Sequence, residues 1–375
     1  MAKEYLICNR CIMDTTTPDI EFDEKGICNY CRAYFDRIAT EAFSEEQRPM
    51  MLERLVDRIQ KEGQGKDYDC IIGVSGGVDS TTVAFTVKKL GLRPLAVHFD
   101  NGWNSELAVD NIKKTISLLN IDLYTHVVDW EEFRDLQWAF LKSSISNAEI
   151  PTDHAIFALL FQMAAREKVR YILTGSNLSS EGLPLPIDWG YYSQDLRLIK
   201  DIHRKFGTVP LKTFPQISLL DYLYYVYVKG IRQVPFLNYI HYDKFQAIEM
   251  IKKEICWRPY GGKHYESIYT RFYQGYILLK KFGYDKRRVH LSNLVCSEIM
   301  TREQALAEIE SDSYTGHDLN QDREFVIKKL NIEEKEFEEI MNLPVKTYRD
   351  YSSNGYLIHE MPRLKKIFKR KATGL

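Results

Sequence analysis

No stretch of this 375-residue chain is apolar for long enough to cross a membrane. The longest, AIFALLFQMAA at 155–165, falls well short of the roughly 20 residues a bilayer requires. The first residues, MAKEYLICNRC, contain no apolar h-region, so the N-terminus does not read as a signal peptide. An excess of charge of either sign is also missing: 51 Lys and Arg face 52 Asp and Glu, leaving a formal −1. That balance argues against a general nucleic-acid binder, which carries a basic excess. There is no internal repeat and no low-complexity tract. What remains is an ordinary globular composition, long enough for two or three domains. The chain reads as cytoplasmic, where thiols stay reduced and paired cysteines serve metals more often than disulfides. Tyrosine is plentiful, which suits core and interface packing or a stacking surface.

Cysteine is where the pattern begins. Four of the seven fall as CNRC and CNYC: Cys8, Cys11, Cys28 and Cys31, with sixteen residues between the pairs. Each pair can grip one ion from a tight turn, and four thiolates suit tetrahedral zinc. Such a site has no open position, so this zinc would fold a small module and take no part in chemistry. Residues 1–40 are accordingly expected to form a zinc-ribbon module. Cys70 lies in a strand and reads as core. Cys256 and Cys296 are scattered, and burial suits them better than a site.

A polar helical linker, 41–66, ends in KEGQGKD, whose glycines and charges mark a boundary. An alternation follows. YDCIIGV, RPLAVHFD, DLYTHVV and VRYILTG read as strands; VDSTTVAFTVKKLG, NSELAVDNIKKTISLLN, EEFRDLQWAFLKSS and DHAIFALLFQMAAREK read as helices. This rhythm implies an α/β fold, a doubly wound parallel sheet over 67–230, with ligands at the C-terminal strand ends. From 231 to 375 the pattern is mostly helical. The basic tail RLKKIFKRK reads as a solvated helix end or a contact for an acidic partner.

The first strand runs into VSGGVDS, residues 74–80. Gly76 and Gly77 permit backbone geometry that turns successive N–H groups into one concavity. Ser75 and Ser80 add hydroxyls, and a helix starting near Val78 adds its positive end. Together, Val74 to Ser80 can hold phosphate without the lysine of a Walker A loop. Asp79 makes sense there if Mg²⁺ bridges it to the phosphates. Further strand ends offer His98, Asp100 and Asn101 in VHFDNGW, and Thr174, Gly175, Ser176, Asn177 and Glu181 in LTGSNLSSEG. In PTDHA, Asp153 and His154 are site candidates, though Asp153 could equally cap a helix. The segment 257–306 is dense in Arg, Lys, His and Tyr. Lys263 and His264 supply cations or protons, Glu266 an acid, and Arg271, Arg287, Arg288 and His290 follow. This set suits an anionic substrate or the phosphates of ATP, or else a network of ion pairs supporting the fold.

The spelling SGGVDS after a strand resembles the PP-loop of the N-type ATP pyrophosphatases. The resemblance implies an adenine-nucleotide α-hydrolase-like domain that cleaves ATP between its α and β phosphates and passes AMP to a substrate oxygen. In such relatives the second strand lies near adenine and ribose, which assigns His98 and Asp100 to the nucleotide. The fourth strand end meets it too, which assigns Thr174, Gly175 and Asn177, and Glu181 would join Asp79 on Mg²⁺. The C-x2-C pairs, the loop, FDNGWNSEL, IPTDHAIFA and GGKHYES…TRFYQ…KRR.HLSNL together resemble the N-acetyl sugar amidotransferase family of lipopolysaccharide and surface-glycan biosynthesis, from residue 8 to about 310. One departure is the sequence Cys296, Ser297, Glu298, where the resemblance leads to CSG.

Membership would imply conversion of a sugar acetamido group to acetamidino with ATP and ammonia. Asp79, Lys263, His264 and Arg271 would be catalytic. Asp153, His154, Glu266, Arg287, Arg288 and His290 would hold the sugar, expected to be nucleotide-linked. No glutaminase is visible in the chain: Ala2 stands where an N-terminal nucleophile would need cysteine, and no G-x-C-x-G turn occurs. The resemblance implies partners of the kind relatives sit beside, a glutaminase and a cyclase-like barrel resembling the two parts of imidazole-glycerol-phosphate synthase. A tRNA-thiolating enzyme and a non-catalytic assembly factor are the rival readings. The first needs a basic RNA face and a reactive cysteine close to the loop; the second sits poorly with an intact SGGVDS.

Overall fold

The computed structural model describes residues 4–260, 265–311, 314 and 316–355. Lys263, His264 and the basic tail lie outside the described residues. Its centre is a five-stranded sheet, β1 (Cys70–Gly73), β2 (Pro94–Asp100), β3 (Asp122–Val127), β4 (Tyr171–Thr174) and β5 (Arg232–Pro235). The spatial order is β3-β2-β1-β4-β5, with all four pairings parallel. The doubly wound sheet expected from the alternation is therefore present.

The central strands are apolar on both faces because helices cover both. Neighbours in β1 turn opposite ways. Two helices, α1 (Asn29–Glu41) and α2 (Gln47–Gly63), precede β1. Ile72 packs with Val83 and Phe85 of α3 (Val78–Lys89), and with Leu55 and Ile59 of α2. Ile71 packs with Leu136 and Phe140 of the helix Trp130–Ser143, and with Leu159 and Met163 of the helix Ile150–Arg166. β3 is an edge strand and stays largely exposed. The order reverses between β1 and β4, so the loops after these two strands part and leave a crevice.

β5 has no counterpart in the sequence reading. It is four residues long, ends in Pro235 and occupies the other sheet edge, where proline is tolerated. The sheet thus continues past the expected boundary at residue 230. Two tyrosine-rich helices change kind along their length. Leu219–Leu223 and Ile268–Phe272 are α-helical, and each continues as a π-helix, Tyr224–Val228 and Tyr273–Phe282. No helix among the described residues is long and apolar enough to cross a membrane.

The first forty residues do not stand apart. Met13, Tyr34 and the four paired cysteines pack against Leu183, Trp189, Val289 and Cys296. Arg288 forms an ion pair with buried Asp14 at 3.0 Å and donates to the Ile12 carbonyl at 3.0 Å. Arg302 donates to the carbonyls of Cys8 and Cys11. The turn at Glu298 explains why glycine suits that position: its φ is +61°, the left-handed region. An L side chain there costs roughly 1–2 kcal/mol, while glycine loses roughly 0.5–1 kcal/mol of chain entropy. Glu298→Gly is expected to stabilise the chain by about 0.5–1 kcal/mol, read from urea unfolding. A lower midpoint would show that the glutamate side chain earns its place there.

Candidate active site

Residues 74–77 form a tight loop between β1 and α3, and Val78 to Ser80 open the first turn of that helix. Gly76 has φ +80°, and a Cβ on it would lie 2.5 Å from the Ala108 carbonyl oxygen. Only glycine fits. The Ser75 and Ser80 hydroxyls are 3.3 Å apart. The Gly77 N–H donates to Ser75 Oγ, and Ser80 Oγ donates to the Gly77 carbonyl at 3.2 Å. The N-terminus of the twelve-residue α3 faces the same point, adding its partial positive charge.

Three further segments brace this loop. His98, at the end of β2, donates from Nδ1 to the Val74 carbonyl at 2.9 Å, and its Nε2 accepts from the Asn104 amide at 3.3 Å. Trp257 Nε1 donates to the Gly76 carbonyl at 2.9 Å. After β4, a Cβ on Gly175 would approach Asp79 Cβ to 2.9 Å, so the turn lies directly on the start of α3. Asn177 shapes that turn: it accepts from the Ser180 N–H at 2.8 Å and donates to the Gly175 carbonyl at 3.1 Å. Thr174 Oγ1 reaches the Val234 carbonyl of β5 at 3.4 Å. Asp100 accepts from the Gly102 N–H at 2.9 Å, while Asn101 donates to Thr152 Oγ1 at 3.2 Å.

Acids gather beside the loop. The Tyr242 hydroxyl donates to Asp79 Oδ1. Burial, with the charges of Asp79 and Glu181, pushes the Tyr242 phenol far up, so it stays protonated. Burial and the charges of Glu266 and Asp79 do the same to Tyr260, which also hydrogen-bonds Glu266. Asp79 and Glu266 thus each hold a phenol beside the loop, and the charge of Glu181 acts on the first of them. Glu266 lies at the nucleotide loop, its Oε1 4.0 Å from where a Gly77 Cβ would stand. The hard carboxylate oxygens of Asp79 and Glu181 are of the type that would hold Mg²⁺.

A cavity of about 420 Å³ opens from Glu181 toward the C-terminal helices. Its polar lining includes Arg271, Lys286, Arg287 and His290; Leu183, Leu185 and Val289 form an apolar wall. Arg271 is held by a bidentate pair with buried Asp322, both contacts 2.6 Å, and lies over the Tyr265 ring. Tyr314 donates to the same carboxylate at 2.7 Å. Arg287 is braced by Asp285 at 2.8 Å and by the Ser311 carbonyl at 3.0 Å.

Besides Glu266 at the loop, three expected substrate residues lie outside the cavity. His154 is fully buried: Nδ1 donates to the Ser193 carbonyl at 2.9 Å, and Nε2 accepts from the Ile217 N–H at 3.2 Å. Burial lowers its pKa to about 4, so it remains neutral and pins two backbone segments. Arg288 turns to the cysteine module, as described above. Asp153 is exposed in the first turn of its helix. Sequence reasoning missed Tyr242, Trp257 and Tyr260 at the loop. In the cavity it missed Lys286, held at 3.5 Å by Glu149, and Arg37, which donates to the Gly182 carbonyl at 2.7 Å.

At the other end of the chain, the sulfurs of Cys8, Cys11, Cys28 and Cys31 lie within 4.8 Å of one another. Backbone N–H groups of Arg10, Met13 and Cys31 point at the sulfurs of Cys8, Cys11 and Cys28, each at 3.4 Å. Such bonds stabilise thiolates, and the four-sulfur set fits tetrahedral zinc.

Residues 266–365 match the family model "LPS biosynthesis protein WbpG-like, C-terminal domain". Residues 69–158 match that of "Queuosine biosynthesis protein QueC". No curated protein matches the chain. Among solved structures, the NH3-dependent NAD synthetase from Campylobacter jejuni is 14% identical, with a TM-score of 0.32, covering 72% of this chain and 99% of that one. NMN synthetase from Francisella tularensis is 14% identical, with a TM-score of 0.32, covering 81% of this chain and 98% of that one. Likeness so loose says nothing of what this chain does. The loop geometry and the two family matches together identify a PP-loop domain joined to a C-terminal domain of the WbpG-like lipopolysaccharide-biosynthesis type.

Proposed function

We propose that the protein is an ATP-dependent amidotransferase of surface-glycan biosynthesis, converting a sugar acetamido group to acetamidino. One observation carries the reading: Glu181 lines the cation-lined cavity, and its charge also acts on Tyr242, the phenol that holds Asp79 at the start of the phosphate loop, so a nucleotide and a polar substrate would meet near it.

The chemistry needs that meeting. An amide carbon is a poor electrophile and its oxygen a poor leaving group. Attack of the amide oxygen on the α-phosphorus breaks the α–β bond and releases pyrophosphate. Ammonia then adds to the activated carbon, and collapse expels AMP, leaving the amidine. Ser75, Ser80 and the loop N–H groups would hold the β and γ phosphates. Asp79 and Glu181 would hold Mg²⁺, which spreads the phosphate charge. Arg271 and His290 would face the sugar, and the apolar wall would exclude water. Ammonia is expected from partner glutaminase and cyclase-like proteins, and the four cysteines are expected to hold a structural zinc.

Mass spectrometry tests the reading. Candidate acetamido sugars, incubated with the protein, ATP and ammonium, should lose about one dalton as O is replaced by NH. Glutamine alone should support no turnover. A thiolated product in place of the amidine, or efficient amidine formation from glutamine by the isolated chain, would overturn the reaction or the nitrogen source respectively.

A further inference from the structure

Five cysteines meet at the N-terminal module. Cys296 is the last residue of the helix Lys286–Cys296 and is buried. Its Sγ lies 3.6 Å from Cys31 Sγ. Within the four-sulfur group, Cys8 and Cys31 are 3.9 Å apart and Cys11 and Cys28 are 3.7 Å apart. With Zn–S bonds near 2.3 Å, a tetrahedral tetrathiolate spaces its sulfurs about 3.8 Å apart. Cys296 therefore stands from Cys31 at the distance of one ligand from another, although the sequence pairs give it no place among the four.

The same helix grips the module twice more. Ser292 Oγ accepts from the Ile12 N–H at 3.2 Å, and Arg288 pairs with Asp14. Its other face carries Lys286, Arg287 and His290 into the cavity. A cysteine placed only to fill space would not need its sulfur aimed at a thiolate group.

We propose that Cys296 is a reserve ligand of the metal centre. Its S–H supports the Cys31 sulfur while that sulfur is bound, and its thiolate takes the position when Cys31 is lost. On doing so Cys296 gives its proton to solvent, and one thiolate replaces another with no change in the charge of the site. Metal loading is thereby joined to the helix that lines the substrate cavity. The proposal rests on the four-cysteine centre binding a metal of the zinc type.

Cobalt(II) is the probe, titrated into the metal-free full-length chain, because its absorption counts thiolate ligands. Wild type should bind one Co²⁺ with full thiolate charge-transfer intensity. Cys31→Ser should keep that intensity, since Cys296 supplies the fourth sulfur. Cys31→Ser/Cys296→Ser should lose about a quarter of it. Cys28→Ser, which has no reserve, should lose as much. Cys296→Ser should keep four thiolates but bind Co²⁺ about tenfold more weakly, as losing an outer contact to a ligand does. Equal losses in Cys31→Ser and the double variant would overturn the reserve role. Unchanged Co²⁺ affinity in Cys296→Ser would overturn the supporting contact, whether or not Cys31→Ser folds. A wild-type chain that binds no Co²⁺ and no zinc would remove the metal reading and this proposal with it.

Discussion

Asp79→Asn is expected to cut pyrophosphate release from ATP by about 10²–10³-fold, the cost of losing one contact made as charge develops. The substitution is nearly isosteric. Asparagine keeps the oxygen that accepts from Tyr242, so the contact between α3 and the segment after β5 survives. What disappears is the negative charge, and a carboxylate at the positive end of a helix that receives phosphate has little purpose without a cation between them. Thermal unfolding should show the fold intact while a coupled pyrophosphate assay shows the loss. Tyr242→Phe separates the two parts of the argument. It removes the hydroxyl and leaves the charge, so it should retain most of the activity. Wild-type turnover by Asp79→Asn would return the residue to a capping role and end the Mg²⁺ assignment.

Arg271→Ala carries the second large effect, and it acts on stability as well as rate. Asp322 is 5% exposed and loses both of its guanidinium contacts. Stranding a buried charge in this way costs about 3–5 kcal/mol. Removing both partners, as Arg271→Ala/Asp322→Ala, should recover much of that cost, because no charge is left stranded. Turnover should not recover with it. If Arg271 contacts the substrate or the developing phosphate charge, the double variant stays about 10²-fold slow despite its restored melting temperature. Recovery of both stability and rate would make Arg271 a support of the fold alone.

The sequence carried the sheet and the phosphate loop clearly because both are local. Strand, turn and helix lie within residues 70–89, and the glycine pair states its own backbone requirement. The four paired cysteines were legible for the same reason. The braces were not. Tyr242 reaches Asp79 across 163 positions and Trp257 reaches Gly76 across 181, and nothing distinguishes Tyr242 among 24 tyrosines before the chain folds. β5 escaped because four residues ending in proline show no period. His154 misled because Asp-His at a helix start looks the same whether the ring faces a substrate or two backbone segments. Cys296 looked like filler because its partner is 265 positions away.

Those long reaches also set a clock on biosynthesis. Trp257 and Tyr242 close over a loop made 181 and 163 residues earlier. At roughly 5–20 residues per second, a ribosome needs about ten seconds or more to supply them. Until then the nascent loop lacks its roof, and the cysteine module lacks the Lys286–Cys296 helix that covers Met13 and Tyr34. A nascent chain halted at residue 230 has its strands β1 to β4 but no closed place for a nucleotide. Competence for ATP would thus arrive late in synthesis, close to the moment the cavity beside Glu181 is complete.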